Sequence, residues 1–262
     1  MGELWFVGLG LGDERGLSAR ALDALATADE VFAEEYTAVA PPGTLERLAR
    51  SIGRPVRTLD RAEVESERPV LDALARSSRV AFLTVGDPFA ATTHVALRLA
   101  AERAGHGWRY VPNASILTAA AGFLGLMHYR FGRTVSLPLP APGFEPRSPV
   151  ERIASNRVAG LHTLVLLDLR PDAGSFLTAG AAIRLLRERD PEGRALPAGG
   201  AVAVAARVGR DDAAGWYGPA ELLADLDFGP PMHAVVVPAP ELHFEEAAAL
   251  ERYRVAGRGT VL

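Results

Sequence analysis

Short apolar runs that end on glycine and give way to stretches with helical spacing restrict this chain more than any other feature. Residues 4–7, Leu-Trp-Phe-Val, form such a run and lead into Gly8-Leu9-Gly10-Leu11-Gly12-Asp13, which reads as a buried strand entering a glycine turn. Ser18 is placed to cap a helix that carries Ala21, Leu22 and Leu25 on one face. A strand over 31–33 follows, then a Pro41-Pro42-Gly43 break and a helix from Thr44 with Leu45, Leu48 and Ile52 at helical spacing. The run 80–85 stops at Gly86-Asp87-Pro88. Strands alternating with helices predict an α/β domain with a largely parallel sheet. Beyond it, apolar runs at 163–167, 201–205 and 234–237, separated by helical stretches at 179–189 and 219–226, predict a second α/β half. Between the halves lies PLPAPGFEPRSP at 138–149, which no helix or central strand tolerates, and it sets the expected domains at 1–134 and 135–262.

Composition narrows the chemistry. The 28 basic residues are all Arg, so a lysine Schiff base and a P-loop lysine are excluded. There is no Cys, hence no thiol nucleophile, disulfide or cysteine-held metal. Gln is absent too, and Asn occurs only at 113 and 156. A net charge of −4 gives no footprint for gripping nucleic-acid phosphates, and a nucleic-acid partner is not expected. The six His are scattered without the H-x-x-x-H spacing of a helical metal site, and no metal is expected. No apolar run approaches the ~18–20 residues of a membrane span, and the N-terminus lacks a basic region and cleavage site; a cytoplasmic protein is expected.

Two glycine motifs carry the functional reading. Gly8-x-Gly10-x-Gly12 after a strand invites a dinucleotide site, but Asp13 stands where G-x-G-x-x-G needs its third glycine, placing a carboxylate where a phosphate would sit. The plain alternative is a tight strand-to-helix turn. Gly86-Asp87-Pro88-Phe89-Ala90-Ala91-Thr92-Thr93-His94 combines a strand end, a carboxylate and a helix start capped by Thr. Loops at the carboxyl ends of parallel strands are where open α/β sheets take ligands. Asp87 there can accept from a ribose or an amino group, or serve only as a local Asx-Pro turn.

Along the chain, VGLGLGDERGLSARALDALATADEVFAEEYTA, LTVGDPFAATTH, PNASILTAAAGFLGLMHYRFGRTVSLP, GLHTLVLLDL and PPMHAVVVPAPELH resemble, in order, successive blocks of the diphthine synthase family within the tetrapyrrole methylase superfamily. Val85 and Phe89 depart from the family pattern, and 140–148 aligns poorly. The resemblance implies a two-domain α/β fold of the tetrapyrrole methylase (class III methyltransferase) type, with the cofactor S-adenosyl-L-methionine held in a cleft between the domains and S-adenosyl-L-homocysteine as its product. It implies a homodimer, and translation elongation factor 2 as the protein substrate. The amine methylated is that of a histidine already carrying a 3-amino-3-carboxypropyl group.

Residue by residue, the family's cofactor contacts fall on Leu11 with Leu9 beside it, Asp87, Ala90, Ser115, Ile116, Leu167, Val208 and His233. Ile116, Leu167 and Val208 suit an apolar adenine slot. Methyl transfer from a sulfonium asks chiefly that a neutral amine be held ~3–3.5 Å from the methyl carbon with water excluded. Lys, Cys and metal are not needed for that. His233 can equally be a polar residue opening a strand, Asp168 a cap, and residues 129–133 a solvated helix end rather than a cationic docking patch. Glu34 or Glu35 can attract the amine. A corrin or haem-precursor methylase, an RNA ribose methylase, a nucleotide-cofactor oxidoreductase and a non-catalytic adenosyl-ligand sensor are the rival readings.

Overall fold

The computed structural model describes residues 1–255. The chain divides into two units, residues 1–116 and the described residues from 117 onward. The first holds strands β1 (Glu3–Gly10), β2 (Glu30–Glu34), β3 (Val56–Leu59), β4 (Arg79–Val85) and β5 (Gly107–Val111) in the order β3-β2-β4-β1-β5. Every pairing is parallel. Its helices are α1 (Ala19–Thr27), α2 (Thr44–Ile52), α3 (Arg61–Glu65), α4 (Arg68–Arg76) and α5 (Val95–Arg103).

Successive strand residues point to opposite faces, and both faces of this sheet are covered. Val7, Leu9, Val31, Ala33, Ala81 and Leu83 pack with Ala21 and Leu25 of α1 and Leu48 of α2. Leu4, Phe6, Phe32, Val80 and Phe82 pack with Val70 and Leu74 of α4 and Leu97 and Ala101 of α5. Burial on both sides explains why these strands read as unbroken apolar runs. Each large side chain so buried contributes ~1.5–3 kcal/mol. Ser18 caps α1 by accepting from the Ala21 N–H at 3.1 Å. Leu22 departs from expectation: it is exposed, and Ala24 takes the inward place beside Ala21 and Leu25.

The chain leaves β1 toward β2 through α1 on one face, and leaves the adjacent β4 toward β5 through α5 on the other. The two neighbouring strands therefore send their loops apart, the topological switch point at which open α/β sheets bind ligands.

Helix α6 (Ile116–Leu124) opens on the last residue of the first unit, and the second contains the rest of it with β6 (Val135–Leu137), α7 (Ser148–Val158), β7 (Thr163–Leu167), β8 (Leu169–Arg170), β9 (Ser175–Phe176), α8 (Ala179–Glu188), β10 (Ala201–Ala206), β11 (Ala214–Pro219), α9 (Ala220–Leu223), β12 (His233–Val237) and α10 (Phe244–Glu251). Its main sheet runs β11-β10-β12-β7-β6. Only β6 and β7 pair in parallel; the rest is antiparallel. Ile153 of α7, Ile183 and Leu186 of α8, and Leu223 of α9 close a core over Val165, Val202, Val204, Val235 and Val237. The expected helix over 219–226 is a single turn, α9, because residues 214–219 are drawn into β11. The α/β class holds in both units.

Candidate functional site

The first unit gathers its loops at the carboxyl edge of the sheet. Gly10 and Gly86 exchange backbone bonds, Gly10 N–H to Gly86 O at 3.0 Å and Gly86 N–H to Gly10 O at 2.8 Å. Both sit in the left-handed region, φ 82° and 79°, which favours glycine. Gly8 answers a different need. A Cβ there would lie 2.7 Å from both Asn113 Cβ and Gly86 O. The glycine spacing that resembles a phosphate cradle thus serves a close approach of three loops.

Asp87 is buried, and its carboxylate is spent within the unit. Oδ1 accepts from the Phe89 N–H at 3.0 Å, while Oδ2 accepts from the Tyr110 hydroxyl at 2.6 Å and the Asn113 N–H at 3.2 Å. The local Asx-Pro turn is therefore real, with two further bonds added by tertiary contact. Burial, with Asp87 beside it, pushes the Tyr110 phenol up to about 12. Leu9 is a core residue, so only its backbone is available to a ligand. Leu11, Ala90, Ser115 and Ile116 are partly exposed around these turns, the last opening α6.

The helix start after the loop differs from expectation. The N-cap of α5 is His94 and no side chain caps it. The Thr92 hydroxyl instead donates to Pro88 O, where His94 Nδ1 also lies at 2.9 Å. Burial depresses the His94 imidazole to about 4, keeping it neutral. Its Nε2 stands 3.5 Å from the Tyr36 hydroxyl. Glu34 is likewise withdrawn: it is 1% exposed and accepts from the Tyr36 and Thr37 N–H groups, each at 3.0 Å, so it shapes the turn after β2 rather than facing an amine. Burial raises its carboxyl. Glu35 accepts from the Ala40 N–H at 3.3 Å.

In the second unit, Leu167 ends β7, Val208 follows β10 and His233 opens β12. The antiparallel register, Ala206 opposite His233 and Ala234 opposite Leu166, brings all three to one edge of that sheet. Both nitrogens of the His233 ring have protein partners: Nδ1 accepts from the Ala179 N–H at 3.3 Å and Nε2 faces Pro230 O at 3.0 Å. Burial lowers its basicity. Arg207 converges on the same carbonyl, its Nη1 donating to Pro230 O at 2.7 Å and to Phe228 O at 2.9 Å. Asp168 accepts from the adjacent Leu169 N–H and, across 29 positions, from the Leu139 N–H, at 3.0 Å each, so it ties the chain after β6 to the end of β7. Arg130 pairs with Glu246 and donates to Glu241 O at 2.7 Å, so of the two readings of residues 129–133 its bonds lend nothing to the cationic patch. Among the described residues no three His, Asp or Glu side chains are grouped to hold a metal.

Sequence reasoning missed Asn113, Tyr110 and Arg207. Two signals touch Asn113, the rarity of Asn in the chain and its place in the block PNASIL just before Ser115 and Ile116, and neither names a bond partner.

The family model for tetrapyrrole (corrin/porphyrin) methylases matches residues 3–224. A diphthine synthase of Methanothermobacter thermautotrophicus is 40% identical over 261 residues, 98% of each chain. One from Methanosarcina mazei is 42% identical over 256 residues, 94% of each. A crystal structure of a diphthine synthase superposes with a TM-score of 0.86 at 35% identity, covering 96% of both chains.

Proposed function

Because this chain belongs to the tetrapyrrole methylase family and, within it, to the diphthine synthases, we propose that it methylates the amine of the 3-amino-3-carboxypropyl-modified histidine of translation elongation factor 2. It is an S-adenosylmethionine-dependent methyltransferase of diphthamide biosynthesis. The observation that carries this reading is likeness over nearly the whole chain to diphthine synthases, which leaves a corrin or haem-precursor methylase unfavoured.

The residues proposed to hold S-adenosylmethionine are Leu9, Leu11, Asp87, Ala90, Ser115 and Ile116 of the first unit and Leu167, Val208 and His233 of the second. What they present suits that ligand. Leu11, Ile116 and Val208 are partly exposed apolar side chains at strand ends or helix starts, fit for an adenine ring, and Leu167, packed in the core of the second unit, would offer its backbone and the rim of its side chain. Leu9, Asp87 and His233, whose side chains are buried or already bonded, would contribute through the backbone. Bound there, S-adenosylmethionine supplies an electrophilic methyl group on a sulfonium. The chain's own work is to orient the cofactor and to admit an uncharged amine in line with that methyl while excluding water. We further propose a cytoplasmic homodimer. Among the described residues no helix is long and apolar enough to cross a membrane.

The test is transfer of a labelled methyl group. Incubated with labelled S-adenosylmethionine and elongation factor 2 carrying the 3-amino-3-carboxypropyl group, the protein should label the factor. Label appearing only on a tetrapyrrole, or cofactor binding without turnover on the factor, would overturn the reading. Sedimentation at working concentration should give the dimer mass; a monomer would remove that part alone.

A further inference from the structure

We propose that Asn113 is the positioning residue of the cofactor site, setting the spacing of three loops on which the first unit's contacts hang; this deepens the methyltransferase reading and rests on it. The Asn113 amide uses its bonding capacity on three different backbones. Nδ2 donates to Gly8 O at 3.0 Å and to Gly16 O at 3.1 Å, so it brackets the end of β1 with Leu9 and the turn after it with Leu11. Oδ1 accepts from the Ala114 N–H at 2.8 Å, directing the chain into Ser115 and Ile116. Its own N–H donates to Asp87 at 3.2 Å, fastening the loop after β4 that leads to Ala90. The missing side chain of Gly8 is what lets Asn113 come this close.

The work needs a side chain that both donates and accepts at that place. An aspartate has the same shape but no N–H group, and it would set a carboxylate oxygen against the carbonyl oxygens of Gly8 and Gly16. Both donor bonds become repulsions. The turn after β1 would then part from the start of α6, while the cores beneath, built from Leu4, Phe6, Val7 and Leu9, stay packed.

The matched control is the chain's other asparagine. Asn156 makes an equivalent set of bonds in the second unit, donating to Arg133 O and the Thr163 hydroxyl at 2.9 Å each and accepting from the Arg133 N–H at 3.1 Å. It lies in α7 and reaches Thr163 at the start of β7, opposite the end that carries Leu167.

Calorimetric titration with S-adenosylmethionine, together with thermal melts and steady-state kinetics, tests the assignment on the full chain. Asn113→Asp should bind the cofactor about tenfold more weakly or worse, in line with two lost bonds, raising KM for the cofactor more than it lowers kcat. Asn156→Ser should lose comparable thermal stability and keep the wild-type Kd. Unchanged affinity in Asn113→Asp, or equal weakening in both variants, would overturn the proposal. If Asn113→Asp fails to fold, Asn113→Ser is read by the same criteria. Hydrogen exchange on the wild type needs no variant: cofactor should slow exchange at the Asn113 and Ala114 amides, and no slowing there counts against the role. Failure of the wild type to bind S-adenosylmethionine would instead sink the methyltransferase reading itself.

Discussion

Asp87 shows how much one side chain holds in place. Asp87→Ala leaves the Tyr110 hydroxyl and the Phe89 and Asn113 N–H groups without their acceptor. The expected cost is ~2–4 kcal/mol, read as a lower urea midpoint at unchanged slope. His94 gives a pH signature. Its folded pKa, about 4, lies below the 6.5 of an ordinary histidine, so the unfolded chain binds the extra proton first. Its contribution is complete above pH ~6.5 and is lost as pH falls through that window toward ~4. His162 and His233 are shifted in the same direction by burial and add to the slope. Glu34, raised by burial, contributes the opposite sign: its share is complete below pH ~4.5 and is lost as pH rises from there through its raised folded value. Urea unfolding of the wild type and His94→Asn between pH 4 and 7 should show a shallower loss in the variant. Parallel curves would mean that His94 does not titrate as a buried neutral ring.

Glycines of unlike purpose separate at the scale of the turn. Gly8→Ala forces a Cβ against Asn113 Cβ and Gly86 O, neither of which is a free side-chain end, and should cost ~1–3 kcal/mol or more through overpacking. Gly53→Ala, at φ 68° with nothing within 4 Å, should cost only the ~1 kcal/mol of a left-handed residue. Thermal melts rank the two; equal losses would refute the close-approach account. The strands divide just as sharply. The central strands β1, β2, β4, β7, β10 and β12 were legible as apolar runs, because sheet neighbours and packing on both faces demand them. The strands of the main sheets that carry no such signal, β3, β5, β6 and β11, are the edges of those sheets, and the two-residue β8 and β9 are too short to show a pattern. An edge strand has one neighbour and carries exposed residues, as Arg57 and Thr58 do in β3 and Arg109 and Tyr110 in β5. Proline ends β11 without harm because an edge wants no further ladder partner.

For the molecule as a whole, a ligand that binds only the folded chain stabilises it. S-adenosylhomocysteine at 100 times its Kd should add ~2.7 kcal/mol and raise the unfolding midpoint by ~5–10 °C in a calorimetric scan. An unmoved midpoint would deny the product a site. The two units divide in sequence at 116, ahead of the proline-rich stretch at 138–149 on which a boundary at 134 was placed. A proline-rich stretch excludes helix interiors and central strands but not a helix start, and α7 begins inside it with Pro149 in its first turn, whereas a unit ends where contacts change partners. From sequence alone came the α/β class, the central strands, the glycine turns, the chemistry excluded by missing Lys and Cys, and the family, since each is written in local pattern or in ordered motifs. Tertiary structure decided which groups are spent and which are spare. Asn113 meets the carbonyl of Gly8 across 105 positions, Arg207 reaches Pro230, and the Asp87 carboxylate turns inward to Tyr110. Such pairings leave no periodicity behind, because a buried polar atom takes whichever partner the packed chain brings within reach.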